Sequence, residues 1–300
     1  MAGETIAVFT KNRSNPAYDA ARLGADRVAA GNGARTVHFV PVKPDDIEEQ
    51  IALVDQAIAA RPDAIVFVPV HLTALDASVR KINAAGIPVV NCINRLARGR
   101  FVSYVGSDDY QLARDIAAYL FRYMGGKGDV LLMEGVPGAV TNHERVRGFL
   151  DAVKEWPGIR IVATRTGDFL EAPARKAMTD FLAGGVPIDG VLSGNDAMSL
   201  GVLAALEQAG LRIPVIGVNA LPDAIVSLKA GKLLATVDFD AMKIASIATE
   251  AAIRQLRGQP VPAEIILPVQ IVDRSNCQPW DRPLEARECP RWNDVVGPQR

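Results

Sequence analysis

The chain has 300 residues, 49% of them hydrophobic and 22% charged, with a formal net charge of −1. That length suits two domains or one large α/β domain, and the composition is that of an ordinary globular protein. Lys and Arg are spread along the chain, so no basic face advertises nucleic acid. No uncharged apolar run approaches the roughly 18 residues of a membrane span.

The opening "MAGETIAVFT" passes almost directly into a strand pattern, without a positively charged n-region and a long apolar core. A signal peptide is therefore expected to be absent: either none existed, or the chain is a processed or recombinant mature form. Strand patterns follow at 5–10, 36–42, 64–70 and 87–93, each nearly all apolar, as in strands buried on both faces of a parallel sheet. Between them lie helical patterns, "PAYDAARLGADRVAA", "PDDIEEQIALVDQAIAA" and "LTALDASVRKINAAG". This is a βαβ series.

A second series has strands at 128–135, 159–165, 189–194 and 214–220, with helices near 141–155, 171–184 and 197–209. Both series carry Ala-Gly before a Pro-Val strand start, in "AAGIPVV" and "QAGLRIPVI". Glycine suits the residue just past a helix, and proline stops the helix from continuing. Two similar halves thus follow one another, joined near "SYVGSDD" at 103–109. A helix at 240–257 and a strand "EIILPVQIVD" come last, before a loop-like tail.

Open parallel sheets bind ligands beyond the carboxyl ends of their strands. At those ends stand Lys11, Asn15 and Tyr18, then His71, then Asn94 and Arg95. The second half offers His143, Phe169, Asn195 with Asp196, Asn219, and Asp238 with Phe239. Amides, a few cations and aromatics suit hydroxyl-rich ligands, since each hydroxyl both donates and accepts and a ring face covers C–H surface. Local chemistry also allows plainer roles. Asn15 can cap the helix that Pro16 opens, Tyr18 can be core, His143 can be a solvated first-turn residue, and His71 reads as a cap-region residue.

Dinucleotide and P-loop glycine patterns, a GxSxG elbow and HExxH are all missing, so neither an enzyme nor a cofactor is expected. The three histidines are far apart and no CxxC occurs, which makes zinc a poor reading. Cys92 lies in a strand pattern and reads as a small apolar residue; Cys277 and Cys289 share the tail, where a disulfide between them fits an oxidising compartment.

Seven segments in order carry a family resemblance: "NPAYDAARLGA", "IPVVNCINR", "SYVGSDDYQLARDIAAYL", "HERVRGFLDAV", "SGNDAMSLGVLAAL", "IPVIGVNALPDA" and "GKLLATVDFD". From Thr5 to about Asp273 the chain resembles type I periplasmic solute-binding proteins of the ribose/galactose group, the receptors of ABC sugar importers. The resemblance implies an α/β fold of two Rossmann-like lobes joined by three crossover strands, near Gly106, Val237 and Pro268, with ligand clamped in the interlobe cleft by hinge closure. The lobes are expected at 1–106 plus 238–268 and at 107–237 plus 269–300, the latter with an extended tail.

By the same resemblance Asn15 contacts sugar hydroxyls and Tyr18 stacks on the sugar, while Ala17 replaces a second aromatic. Asn94 and Arg95 fall on an Asp-Arg pair that grips ring and hydroxyl oxygens. His143 takes the place of a ligand-binding arginine, and Phe169 matches an aromatic of the second lobe. Asn195 matches a ligand-binding asparagine, leaving Asp196 to cap the helix or brace the loop. Asn219 stands for an aspartate and Phe239 for a glutamine. With two carboxylates replaced by amides, a neutral sugar or polyol is favoured, and a deoxy or branched sugar or a sugar acid anchored by Arg95 stays open.

The implied protein is periplasmic and monomeric, works with an inner-membrane ABC permease, and binds no nucleic acid. The alternative is the effector domain of a lactose-repressor-type regulator lacking its DNA-binding segment.

Overall fold

The computed structural model of the protein describes residues 3–297. The chain begins with β1 (Thr5–Phe9), α1 (Pro16–Gly31), β2 (Arg35–Phe39), α2 (Ile47–Ala60), β3 (Ala64–Phe67), α3 (Asp76–Ala84), β4 (Val89–Cys92) and β5 (Ser103–Gly106). It continues through α4 (Asp109–Tyr123), β6 (Lys127–Glu134), α5 (Val140–Lys154), β7 (Gly158–Thr166) and α6 (Glu171–Ala183). Next come β8 (Gly190–Ser193), α7 (Asp196–Gln208), β9 (Val215–Ile216), α8 (Pro222–Lys229) and β10 (Thr236–Val237). It closes with α9 (Ala241–Leu256), β11 (Glu264–Ile266), β12 (Ile271–Val272) and the single turn α10 (Trp292–Val295).

These elements form two compact units. One takes residues 3–107, 240–268 and the tail from Glu288; the other takes Asp108–Phe239 and Val269–Arg287. The first unit is built on a six-stranded sheet in the order β11-β5-β4-β3-β1-β2, with every pairing parallel. Strands β3 and β4 are buried along their whole length, as apolar runs require when helices cover both faces. Their one polar residue, Asn91, is hydrogen-bonded to the Phe67 and Asn94 carbonyls. Phe9, Phe67, Val54, Leu75, Val79 and Ile82 fill the core between the sheet and helices α2 and α3.

The second unit has a four-stranded parallel sheet, β7-β6-β8-β9, and a separate antiparallel pair, β10 with β12. Its core gathers Leu131, Met133, Met178, Phe181, Val191, Met198 and Ile225.

Helix boundaries follow local chemistry. Asn15, Asp46, Asp108, Asn195 and Asp240 each accept a first-turn backbone N–H as N-caps. The glycine of the Ala-Gly motif has the positive φ of a residue past a helix end, 73° at Gly86 and 69° at Gly210. Among the described residues no helix is long and apolar enough to cross a membrane.

Two expectations about the tail are corrected. Residues 269–300 do not all belong with the second unit: from Glu288 the chain lies with the first. Trp292 is buried there, with the Arg254 guanidinium of α9 4.4 Å from its ring centroid. Residues 298–300 of the expected lobe lie outside the described residues. Nor are Cys277 and Cys289 bridged; all three cysteines are free. Cys277 is occupied otherwise, packed beside Trp280 in the second unit's core.

Candidate ligand-binding site

In a parallel sheet all strand carboxyl ends open on one edge, so residues distant in sequence meet there. In the first unit the chain leaving β1 carries Lys11, Asn12 and Asn15. Lys11 is 1% exposed, and its Nζ lies 2.6 Å from Asp45 Oδ1. Asn12 donates to Asp45 Oδ2 at 2.8 Å and accepts the Asn15 backbone N–H at 2.9 Å. Arg22 reaches back from α1 to Thr10 Oγ1 at 2.7 Å and to the Asn12 carbonyl at 3.2 Å. The Lys11 charge is thus matched within the unit, and the network holds the 10–15 loop still. Asn15 caps α1 through the Ala17 N–H at 3.0 Å, and Tyr18 is buried one turn on.

At the end of β4 the backbone turns through Ile93 at φ 62°. The buried Asn94 donates from Nδ2 to the Pro69 carbonyl at 2.8 Å. Its Oδ1 is buried and has no hydrogen-bond partner among the described residues. Arg95 is half exposed and pairs with Glu264, its guanidinium 3.9 Å from the Tyr104 ring centroid. His71 does what a cap-region residue does, accepting the N–H groups of Thr73 and Ala74 at 3.2 Å each.

The second unit's strand ends gather Phe169, Asn195, Asn219, Asp238 and Phe239, all buried. The division of roles expected for the Asn195–Asp196 pair changes. Asn195 is itself the N-cap of α7, its Oδ1 accepting Met198 N–H at 2.9 Å, while its Nδ2 donates to the Phe169 carbonyl at 3.1 Å. Asp196, 0% exposed, braces the loop after β9. It accepts Leu221 N–H at 2.9 Å and Thr236 Oγ1–H at 2.7 Å. Burial pushes its carboxyl up to about 6, against the opposing pull of those two hydrogen bonds. Asn219, at φ 128°, donates from Nδ2 to the Phe239 carbonyl at 3.2 Å, and Asp238 donates its backbone N–H to Gln270 at 2.9 Å.

His143 is corrected. Its side chain is 62% exposed, with Nε2 3.8 Å from Glu144. The buried cation of α5 is Arg145, absent from the sequence candidates. Arg145 Nε donates to Asp109 Oδ1 at 2.8 Å and Nη1 to the Gly194 carbonyl at 2.7 Å. Its guanidinium lies 4.7 Å from the Phe239 ring centroid and 6.0 Å from that of Phe169. Asp109 is pushed up to about 6 by burial, opposed by the Arg145 charge and hydrogen bond. Helical spacing carries the missed signal. Thr141, Arg145, Gly148, Phe149 and Ala152 form the buried stripe of α5, and position 143 falls off it.

Two parallel α/β units, each with amides and matched cations at its strand ends, define a binding protein of the open-sheet kind. The periplasmic binding protein domain family matches residues 6–260. The chain is 30% identical over 267 residues to the ribose import binding protein RbsB of Bacillus subtilis, covering 89% of this chain and 86% of that one. It is 29% identical over 259 residues to the D-apiose import binding protein of Paraburkholderia graminis, covering 86% and 82%. An ABC transporter periplasmic solute-binding protein of Actinobacillus succinogenes, solved with bound D-allose, superposes with a TM-score of 0.86 at 31% identity, over 92% of this chain and 99% of the other.

The chain belongs to the periplasmic binding protein family. It is an ABC-importer solute-binding protein and not an enzyme, and the regulator alternative finds no support among these relatives.

Proposed function

We propose that the protein captures a small neutral sugar or polyol in the periplasm and, as a monomer, presents it to an inner-membrane ABC permease. The observation that carries this reading is the Asn94 amide. Its Oδ1 is buried without a partner at the end of β4, and an orphaned buried acceptor is costly unless a ligand or water donates to it. A solute hydroxyl supplies such a proton. Asn15, Asn195 and Asn219 add amides at other strand ends, and Phe169 and Phe239 add ring faces.

Charge argues against a sugar acid. Lys11 is matched by Asp45, Arg95 by Glu264 and Arg145 by Asp109. Each of the three already has a carboxylate partner, which weighs against Arg95 as the anchor of an acid. Relatives named for ribose, D-allose and xylitol agree with a neutral ligand.

The test is a thermal-shift panel of D-ribose, D-allose, D-apiose and xylitol beside D-ribonate and D-allonate. Binding to the folded state raises the melting temperature by mass action, with about 2.7 kcal/mol of stabilisation at a hundredfold excess over Kd. At least one neutral compound is expected to raise it and neither acid to do so. A shift confined to the acids overturns the reading. Light scattering on the eluted peak checks the monomer.

A further inference from the structure

The loop after β9 is bent in a way non-glycine residues avoid. Asn219 and Ala220 both have positive φ, 128° and 49°. Such backbone persists only where its surroundings hold it. From one side the holding groups come from β10 and the first residue of α7. Asn219 N–H donates to the Val237 carbonyl at 2.8 Å, and Ala220 N–H to Thr236 Oγ1 at 3.3 Å. Leu221 N–H donates to Asp196 Oδ2 at 2.9 Å. These bonds fix the N–H groups of three successive residues.

The Ala220 carbonyl is met by a residue of the tail. Arg287 Nη2 donates to it at 2.9 Å and to the Trp280 carbonyl at 2.9 Å. Arg287 is 8% exposed and Trp280 7%. The guanidinium thus clamps the loop to the short 3-10 turn Gln278–Trp280. A buried charge that donates to two carbonyls is held more tightly than a neutral donor. Arg287 lies beyond residue 260, where the family match ends.

We infer that Arg287 is a positioning residue for the ligand loop: with Asp196 on the Leu221 N–H, Arg287 on the Ala220 carbonyl holds the Ala220–Leu221 peptide, and so keeps Ala220 at its positive φ and the turn that carries Asn219 in place. The inference rests on the reading that Asn219 faces the solute. Asn219 Nδ2 already donates to the Phe239 carbonyl, so the direction of its Oδ1 follows the backbone beneath it. Releasing the Ala220 carbonyl lets that backbone relax towards ordinary φ values and turns the acceptor away.

The experiment uses the full chain with two substitutions. Arg287→Met keeps the buried aliphatic stem but removes every donor, and Arg287→Lys keeps a charged donor. Amide hydrogen exchange on the unliganded protein is the first readout. Arg287→Met is expected to speed exchange at Ala220 and Leu221 at least tenfold, with less than a twofold change in the α7 amides of Val202 and Ala205. Calorimetric titration with D-allose is the second: affinity is expected to fall at least tenfold in Arg287→Met and to recover to within threefold in Arg287→Lys. A D-allose affinity within twofold of wild type in Arg287→Met overturns the inference. So does a rise in exchange spread evenly over the second unit, which marks Arg287 as general scaffolding. Wild-type protein that ignores D-allose is titrated with D-ribose, D-apiose and xylitol in turn; silence from all four counts against the ligand reading instead, and the exchange readout still decides the role of Arg287.

Discussion

Asn195 does two jobs with one amide. Its oxygen caps α7 and its nitrogen holds the Phe169 carbonyl, both in a fully buried setting. Asn195→Ala therefore removes a helix cap, worth about 1 kcal/mol, and the hydrogen bond to the Phe169 carbonyl, worth about 1 kcal/mol. The unliganded melting temperature is expected to fall by several degrees, at about 2–4 °C for each kcal/mol in a domain of this size. An unchanged value in differential scanning fluorimetry rules out the structural role. The strand-end rule brings Asn15, Asn94, Asn195 and Asn219 to notice because it depends only on where apolar runs stop. It is silent on partners. Arg95 meets Glu264, 169 residues away, and Lys11 meets Asp45, 34 away, and no local pattern records either pairing. His143 attracts attention by residue type, whereas Arg145 is found only by asking which side of the helix is buried.

At the scale of elements, the first unit depends on how closely α1 and α9 approach. A Cβ on Gly24 of α1 would lie 2.5 Å from the Met242 carbonyl oxygen and 2.6 Å from Ser246 Oγ of α9. Near the end of the same helix Gly31 has nothing within 4 Å of the equivalent point. The two glycines therefore respond oppositely to alanine. Gly24→Ala forces the helices apart, an overpacking cost of about 1–3 kcal/mol that exceeds the gain in helix propensity of up to about 1 kcal/mol. Gly31→Ala keeps only that gain. Urea unfolding of the two variants is expected to show a lower midpoint for the first and an equal or higher one for the second. Equal behaviour removes the packing argument. The apolar runs make the strands and their parallel order legible, since β1, β3, β4 and β8 are short and buried on both faces. The pattern is less legible where β9 ends after two residues. The run 214–220 is apolar because it leads into the buried loop at Asn219, not because it is strand throughout.

For the whole molecule, acid acts on the two units in opposite directions. In the second unit burial raises Asp109 and Asp196 to about 6 from an ordinary value of 3.8. Between those values the folded state holds more protons than the unfolded chain. The contribution of each carboxyl is therefore fully present below pH 4 and is lost as pH rises through 6. In the first unit Arg257 holds Glu4 down to about 2, first through its hydrogen bond to the carboxylate. That contribution is present above pH 4.5 and is lost as pH falls towards 2. Because the chain has two cores, unfolding need not be a single transition, so each unit is followed by its own probe. Trp156 on the loop after α5 reports on the second unit and Trp292 on the first. Asp196→Asn retains an acceptor for Leu221 N–H and cannot titrate. Compared with wild type, it is expected to flatten the decline in second-unit stability between pH 4 and 6, by up to about 3 kcal/mol if burial acts in full. The transition of the first unit should be unmoved. A wild-type second unit that grows more stable across that window shows that Asp196 is ionised well below pH 6, with its bonds to Thr236 and Leu221 outweighing burial.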